Sequence, residues 1–194
     1  PPSRSRIMEI HDIAVLGAGQ MGNGIAQVAA CAGFEVVMID IEQAFVEKGL
    51  LTIEDSLGKL VAKERMTSAD AEAAMSRIRI STERDSASQC DIVIEAIPEI
   101  PELKHSTFAE LDLICKEGAI LASNTSSISI DEIASHTKRP ESVIGMHFMN
   151  PVPLMKLVEI INGSKTSEAV NSAVVEAAEK MGKTALSCND SPGF

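Results

Sequence analysis

Two residues at a defined spacing offer acid–base chemistry. His147 closes the apolar run SVIGMHF, and Glu159 sits inside a second apolar run, KLVEII. Asn150, Pro151 and Pro153 turn the chain between them. A turn centred near Pro153 sets positions 147 and 159 opposite each other on neighbouring strands. A carboxylate in an otherwise apolar strand is costly unless it is paired. Pairing with an imidazole meets that cost, fixes the tautomer and raises basicity, as a general base requires. The bland alternative is a glutamate on the wet face of an edge strand. The other three histidines suit structural or exposed roles: His11 precedes the first strand, His105 has polar helix neighbours, and His136 ends a helix.

The second constellation is glycine. Gly17, Gly19 and Gly22 form G-x-G-x-x-G between an apolar strand pattern and a helical one, with Gln20 and Met21 inside the motif. The first glycine permits a tight turn, the second lets a pyrophosphate approach the backbone, and the third lets helix and strand pack closely. The helix N-terminus then offers N–H groups and the positive end of its dipole. Asp40 ends the next strand, 18 residues after Gly22. An acid there accepts from an adenosine ribose and repels a 2′-phosphate, so NAD is expected rather than NADP. A dinucleotide site points to hydride transfer, which needs a proton acceptor. The chain contains no Tyr, and its four cysteines lie apart without a CxxC pair. Tyrosine-based and zinc-based alcohol oxidation are therefore set aside and no metal site is expected, which leaves His and Lys as proton acceptors; His147, at the end of a strand where ligands of open α/β sheets bind, is the expected base. Asn124, Ser126 and Ser127, in the polar run SNTSSIS, could reach a nicotinamide or a substrate hydroxyl. Of Glu99 and Lys104, one could lie near the cofactor and one on a solvated helix face.

These residues must be positioned by alternating strands and helices. Strands are expected over 13–17, 35–40, 78–81, 92–95, 119–123, 143–147, 156–161 and 184–187. Helices are expected over 21–32, 43–64, 69–76, 102–116, 130–136 and 167–181. Thr67 and Ser129 read as helix N-caps, the latter with Glu132 as a capping box, and Gly182 reads as a left-handed helix end. The pattern predicts an α/β fold, a doubly wound and mostly parallel sheet covered on both faces. Residues 1–9 read as an extension and 10–194 as one dinucleotide-binding domain. The net charge of −11 argues against nucleic acid and anionic membrane as partners. The cysteines read as buried thiols of a reducing compartment, and with no signal-like segment the cytoplasm is expected.

Several stretches, GAGQMGNGIAQ, IEAIPE, ASNTSS, GMHFMNPVPLMKLVEII and DSPGF, resemble the L-3-hydroxyacyl-CoA dehydrogenases, including the bacterial-type 3-hydroxybutyryl-CoA enzymes. The likeness runs from about Ile10 to Phe194. It implies a Rossmann-type fold and NAD-dependent oxidation of an L-3-hydroxyacyl-CoA, short-chain by this likeness, to the 3-ketoacyl-CoA. By position it implies His147 as catalytic base, Glu159 as its partner, and Ser126 as a contact to both substrate and cofactor. Asp40, Glu99, Lys104 and Asn150 match cofactor contacts, and Ser56 and Lys63 match residues touching the CoA moiety. The family often has Asn after the acid matching Glu99, where this chain has Ile100 and Pro101. The family's C-terminal helical domain, which closes over substrate and makes most of a dimer interface, is not represented, so a homodimer is expected of the full-length protein. Two other outcomes stay open: a dehydrogenase of a non-CoA hydroxy acid, like the gulonate dehydrogenases related to lambda-crystallin, and a catalytically incomplete NAD-binding module.

Overall fold

The computed structural model describes residues 8–190. The start of the expected extension and the end of the DSPGF segment lie outside the described residues. The chain runs β1 (Asp12–Leu16), α1 (Gln20–Cys31), β2 (Glu35–Ile39), α2 (Gln43–Ala62), α3 (Ser68–Ser76), β3 (Ile78–Ser81), β4 (Ile92–Glu95), α4 (Pro101–Ile114), β5 (Ile120–Ser123), α5 (Ile130–Ala134), β6 (Val143–Phe148), β7 (Leu157–Asn162), α6 (Glu168–Lys180) and β8 (Thr184–Asn189). Every expected element is present, with boundaries moved by a few residues at most.

The eight strands form one sheet in the order β3-β2-β1-β4-β5-β6-β7-β8. The first six are parallel. β7 runs antiparallel to β6, and β8 is parallel to β7. The order reverses between β1 and β4, and this is where ligands of open α/β sheets bind, beyond the carboxyl ends of the strands. Alternate residues of each strand feed opposite cores. Ile13, Val36, Ile92, Ile144 and Val158 pack with α1, α2 and α6. Ala14, Val37, Val93, Leu121 and Ile161 pack with Phe108 and Leu111 of α4 and with Ile130 and Ile133 of α5. Strands buried on both faces read as unbroken apolar runs, as they do here.

The N-cap expectations hold, but among the described residues the capping box closes on one side only, with the Glu132 carboxylate 3.4 Å from His105 Nε2 and not bonded to the Ser129 N–H. Thr67 accepts from the Asp70 N–H, Ser129 accepts from the Glu132 N–H, and Gly182 is left-handed at φ +77°. The end of α2 differs from expectation. Glu64 turns left-handed at φ +58°, and Glu64 and Arg65 return their N–H groups to Val61 and Leu60. This terminating motif leaves Lys63 as the cap residue, outside the helix. The thiols also differ: Cys90 and Cys115 are buried, but Cys188 is half-buried and Cys31, the last residue of α1, is exposed. Among the described residues no helix is long and apolar enough to cross a membrane.

Candidate functional site

β1 runs straight into the glycine loop. Gly17 sits at φ +110° and donates to Ile39 O at 2.7 Å, stitching the loop to β2. Gly22 lies so close to this turn that a Cβ there would stand 1.9 Å from Gly17 O. A Cβ at Gly19 would instead meet nothing within 4 Å. α1 starts with no side-chain cap and no acid in its first turn. Open space, uncapped N–H groups and a positive dipole end are what a pyrophosphate requires, so this loop fits NAD.

Asp40 follows β2. Its Oδ2 accepts from the Ala18 N–H at 2.8 Å and its Oδ1 from the Ile41 N–H at 2.7 Å. The carboxylate thus fixes the glycine loop while still lining two recesses. One, of about 450 Å³, includes Gly19, Gln20, Phe45 and Lys48. The other, of about 40 Å³, includes Gly17, Ile41, Thr82, Arg84 and Ile97. Arg84 is a cation beside Asp40 that spacing did not reveal, but its guanidinium is engaged by Glu110.

On the far side of the glycine loop, a cavity of about 320 Å³ opens at the ends of β4, β5 and β6. His147, Ser126, Asn124, Asn150, Glu99 and Lys104 line it, together with Met21 of α1. The expected register is present: His147 lies opposite Glu159 across the antiparallel β6–β7 pair. A direct bond is not. Among the described residues no ion pair within 4.0 Å joins them. Both side chains are half-buried, so solvent supports each without the other, and the expected ion pair is corrected to a cross-strand neighbour. Asn124 accepts from the Phe148 N–H at 2.8 Å, which ties the end of β6 to the β5 loop. Asn150 precedes a cis peptide bond to Pro151. Val152 of that turn sits against Gly24 of α1, where a Cβ would approach to 2.8 Å, so the bare Gly24 lets the turn pack on α1. Lys183, buried at the start of β8, donates to Val152 O and Met155 O and holds the turn from behind.

Glu99 and Lys104 both reach this site. The expectation of one residue on a solvated helix face fails for Lys104, which is 1% exposed. Its ammonium bonds Glu95 at 2.8 Å and lies 3.4 Å from Glu99. Glu99 accepts from Thr125 Oγ1 at 2.6 Å, from the Ser126 N–H at 3.1 Å and from Ser126 Oγ at 3.3 Å. Burial pushes the Glu99 carboxyl up, but those hydrogen bonds and the Lys104 charge outweigh it and hold it below the ordinary value. Ser127 is exposed and stays outside the cavity wall. Sequence reasoning missed Glu95, Thr125 and Lys183. The available signal was a lone charge in an apolar strand, IVIE, which demands a partner.

Ser56 and Lys63 lie away from this cavity. Ser56 is half-buried on α2 and accepts from Gln27 Nε2 of α1 at 2.9 Å, and Lys63 is exposed. His105 stacks on His136 with ring centroids 4.2 Å apart, and its Nε2 lies 3.4 Å from the Glu132 carboxylate, away from the His147 cavity. No group of three or more metal-ligating side chains occurs among the described residues.

The family described as "3-hydroxyacyl-CoA dehydrogenase, NAD binding domain" matches residues 12–191. A probable 3-hydroxybutyryl-CoA dehydrogenase of Deinococcus radiodurans is 53% identical over 180 residues, covering 93% of this chain and 64% of its own length. One from Bacillus subtilis is 52% identical over 187 residues, covering 96% of this chain and 65% of its own. The crystal structure of an (S)-3-hydroxybutyryl-CoA dehydrogenase from Ralstonia eutropha superposes with a TM-score of 0.94 at 47% identity, covering 96% of this chain and 66% of that one. The chain therefore spans just under two thirds of the length of these curated relatives.

Proposed function

The chain belongs to the 3-hydroxyacyl-CoA dehydrogenase family through its NAD-binding domain, and from that premise we propose that the protein oxidises a short-chain L-3-hydroxyacyl-CoA, such as 3-hydroxybutyryl-CoA, to the 3-ketoacyl-CoA. The observation that carries this is the shared cavity. His147, Ser126 and Asn150 stand together at the strand ends, and Met21 of the glycine-loop helix forms part of the same wall. NAD, when bound, accepts the hydride. Gly17, Gly19, Gln20, Met21 and Gly22 would hold its pyrophosphate, Asp40 its adenosine ribose, and Glu99, Lys104, Ser126 and Asn150 its nicotinamide end.

In this reading the 3-hydroxyl hydrogen-bonds His147 and Ser126, and His147 takes its proton. Glu159, across the β6–β7 ladder, stabilises the imidazolium through space. Ser126 is oriented by Glu99, which accepts from both its N–H and its hydroxyl. Ser56 and Lys63 receive the CoA moiety, with Lys63 supplying an exposed cation for a phosphate. A homo-oligomer acting in the cytoplasm belongs to the same proposal. The exposed apolar Leu154, Met155 and Leu186 support self-association, which light scattering measures.

The test is NADH oxidation with acetoacetyl-CoA. His147→Ala should lower kcat by about 10²–10⁴-fold, the usual worth of a general base, and leave NADH affinity within about twofold. Loss of NADH binding in that variant would refute the role of His147. Turnover of free 3-hydroxy acids but not of the thioester would refute the CoA substrate.

A further inference from the structure

The floor of the His147 cavity is built from charge. Glu95 ends β4 and is wholly buried. Its carboxylate accepts four hydrogen bonds: two from Lys104 Nζ at 2.8 and 3.1 Å, one from Ser123 Oγ at 2.6 Å, and one from the Ile97 N–H at 2.8 Å. Lys104 has Glu99 as its second carboxylate, 3.4 Å away, and Glu99 reaches the surface at the cavity mouth. Two carboxylates therefore share one ammonium, and the cluster carries a formal charge of −1. Among the described residues Lys104 is the only permanent cation in the cavity wall, whose remaining titratable group is His147. A Lys104–Glu99 pair alone would be neutral. Glu95 supplies the excess negative charge from below, where protein screens it less than water would.

A nicotinamide ring is cationic when oxidised and neutral when reduced. We propose that the Glu95–Lys104–Glu99 cluster biases this site toward the oxidised cofactor, with Glu95 as the buried positioning residue that sets the charge of the other two. The inference rests on reading this cavity as the nicotinamide end of the site. A purely structural Glu95 makes a different prediction, because loosening the cavity weakens both redox forms alike.

The experiment compares NAD+ and NADH dissociation constants in wild type, Glu95→Gln and Ser123→Ala. All constants are measured at one fixed pH and ionic strength, so that the ratio compares charge and not conditions. The chain has no Trp and no Tyr, so NADH fluorescence reports directly and NAD+ is measured by displacement. Glu95→Gln should raise the ratio of the NAD+ constant to the NADH constant by about threefold to tenfold. Ser123→Ala removes a hydrogen bond without changing charge and should leave the ratio at its wild-type value. An unchanged ratio in Glu95→Gln, or equal weakening of both nucleotides, overturns the proposal. If Glu95→Gln does not fold, Glu99→Gln removes one charge from the exposed end of the same cluster and decides the matter by the same ratio. A folded wild type that binds neither nucleotide would instead refute the cofactor reading of the cavity, and the proposal with it.

Discussion

Ser56 is held from below by a side chain almost sealed from solvent. Gln27 is 3% exposed and donates Nε2 to the Ser56 oxygen at 2.9 Å. With Gln27 as its donor, the Ser56 hydroxyl keeps its own hydrogen for an acceptor, and in the proposed function that acceptor is an oxygen of the CoA chain beyond its cysteamine end. Gln27→Leu should raise KM for acetoacetyl-CoA by about threefold to tenfold, the worth of one hydrogen bond, with kcat and NADH affinity unchanged. The N-acetylcysteamine thioester of acetoacetate, which lacks the nucleotide, should show no such change. An equal KM penalty on both substrates would place Ser56 away from the pantoate and nucleotide part of the CoA chain, which the analogue lacks. At this scale the sequence was readable where a residue type conflicts with its surroundings. Glu159 stood out in KLVEII, and counting from Pro153 gave its true partner position on β6. Counting could not give the side-chain rotamers, so it promised an ion pair where there are only facing neighbours. Glu95 shows the same conflict in IVIE. Its partner Lys104 lies on the following helix, beyond a loop whose path no spacing rule fixes, and so the cluster stayed hidden.

The glycine loop separates folding from binding within a single element junction. Gly22 and Gly19 look alike in the motif, but their surroundings oppose each other. An Ala at 22 would drive its Cβ into the Gly17 backbone, which α1 packs against, and neither is free to yield. Gly22→Ala should cost about 2 kcal/mol or more in urea unfolding. Gly19 has an ordinary φ of −70° and open space ahead of it. Gly19→Ala should change stability by less than about 0.5 kcal/mol yet weaken NADH binding about tenfold or more, because the added methyl stands where the pyrophosphate must approach. Wild-type NADH affinity in Gly19→Ala would remove the pyrophosphate from that face of the loop. Element identities were legible because buried parallel strands leave unbroken apolar runs and helices leave a 3.6-residue period. The end of α2 was less so: a glutamate rather than a glycine takes the left-handed turn at Glu64, and the sequence offers no stop there.

The whole molecule should lose stability at both ends of the pH scale, and the two principal groups, Asp91 and Cys90, are neighbours at one corner of the sheet. Asp91 precedes β4 and accepts from the His11 and Asp12 N–H groups and from Lys116 Nζ, joining the start of β1 to the chain just after α4. Burial pushes its carboxyl up, but the Lys116 bond, the two backbone donors and the Lys116 charge prevail and hold it below the ordinary value. A lowered carboxyl contributes stability above its unfolded pKa, and that contribution is lost as pH falls through the folded value. Its neighbour Cys90 is shifted the other way. Burial first, and then the charge of Asp12, pushes its thiol from 9.0 up to about 11. A raised thiol contributes stability below 9.0, and the contribution disappears as pH rises through about 11. Between those values Cys90 should give a slope of about 1.4 kcal/mol per pH unit. Cys31, Cys115 and Cys188 are raised too, so the alkaline limb is steeper than one thiol makes it. Urea midpoints measured from pH 3 to 11 should therefore form a plateau with two falling limbs. Asp91→Asn should lower the plateau and flatten the acid limb, and Cys90→Ala should flatten the alkaline limb without touching the acid one. An alkaline limb unchanged in Cys90→Ala would mean that this thiol opens to solvent before the sheet unfolds.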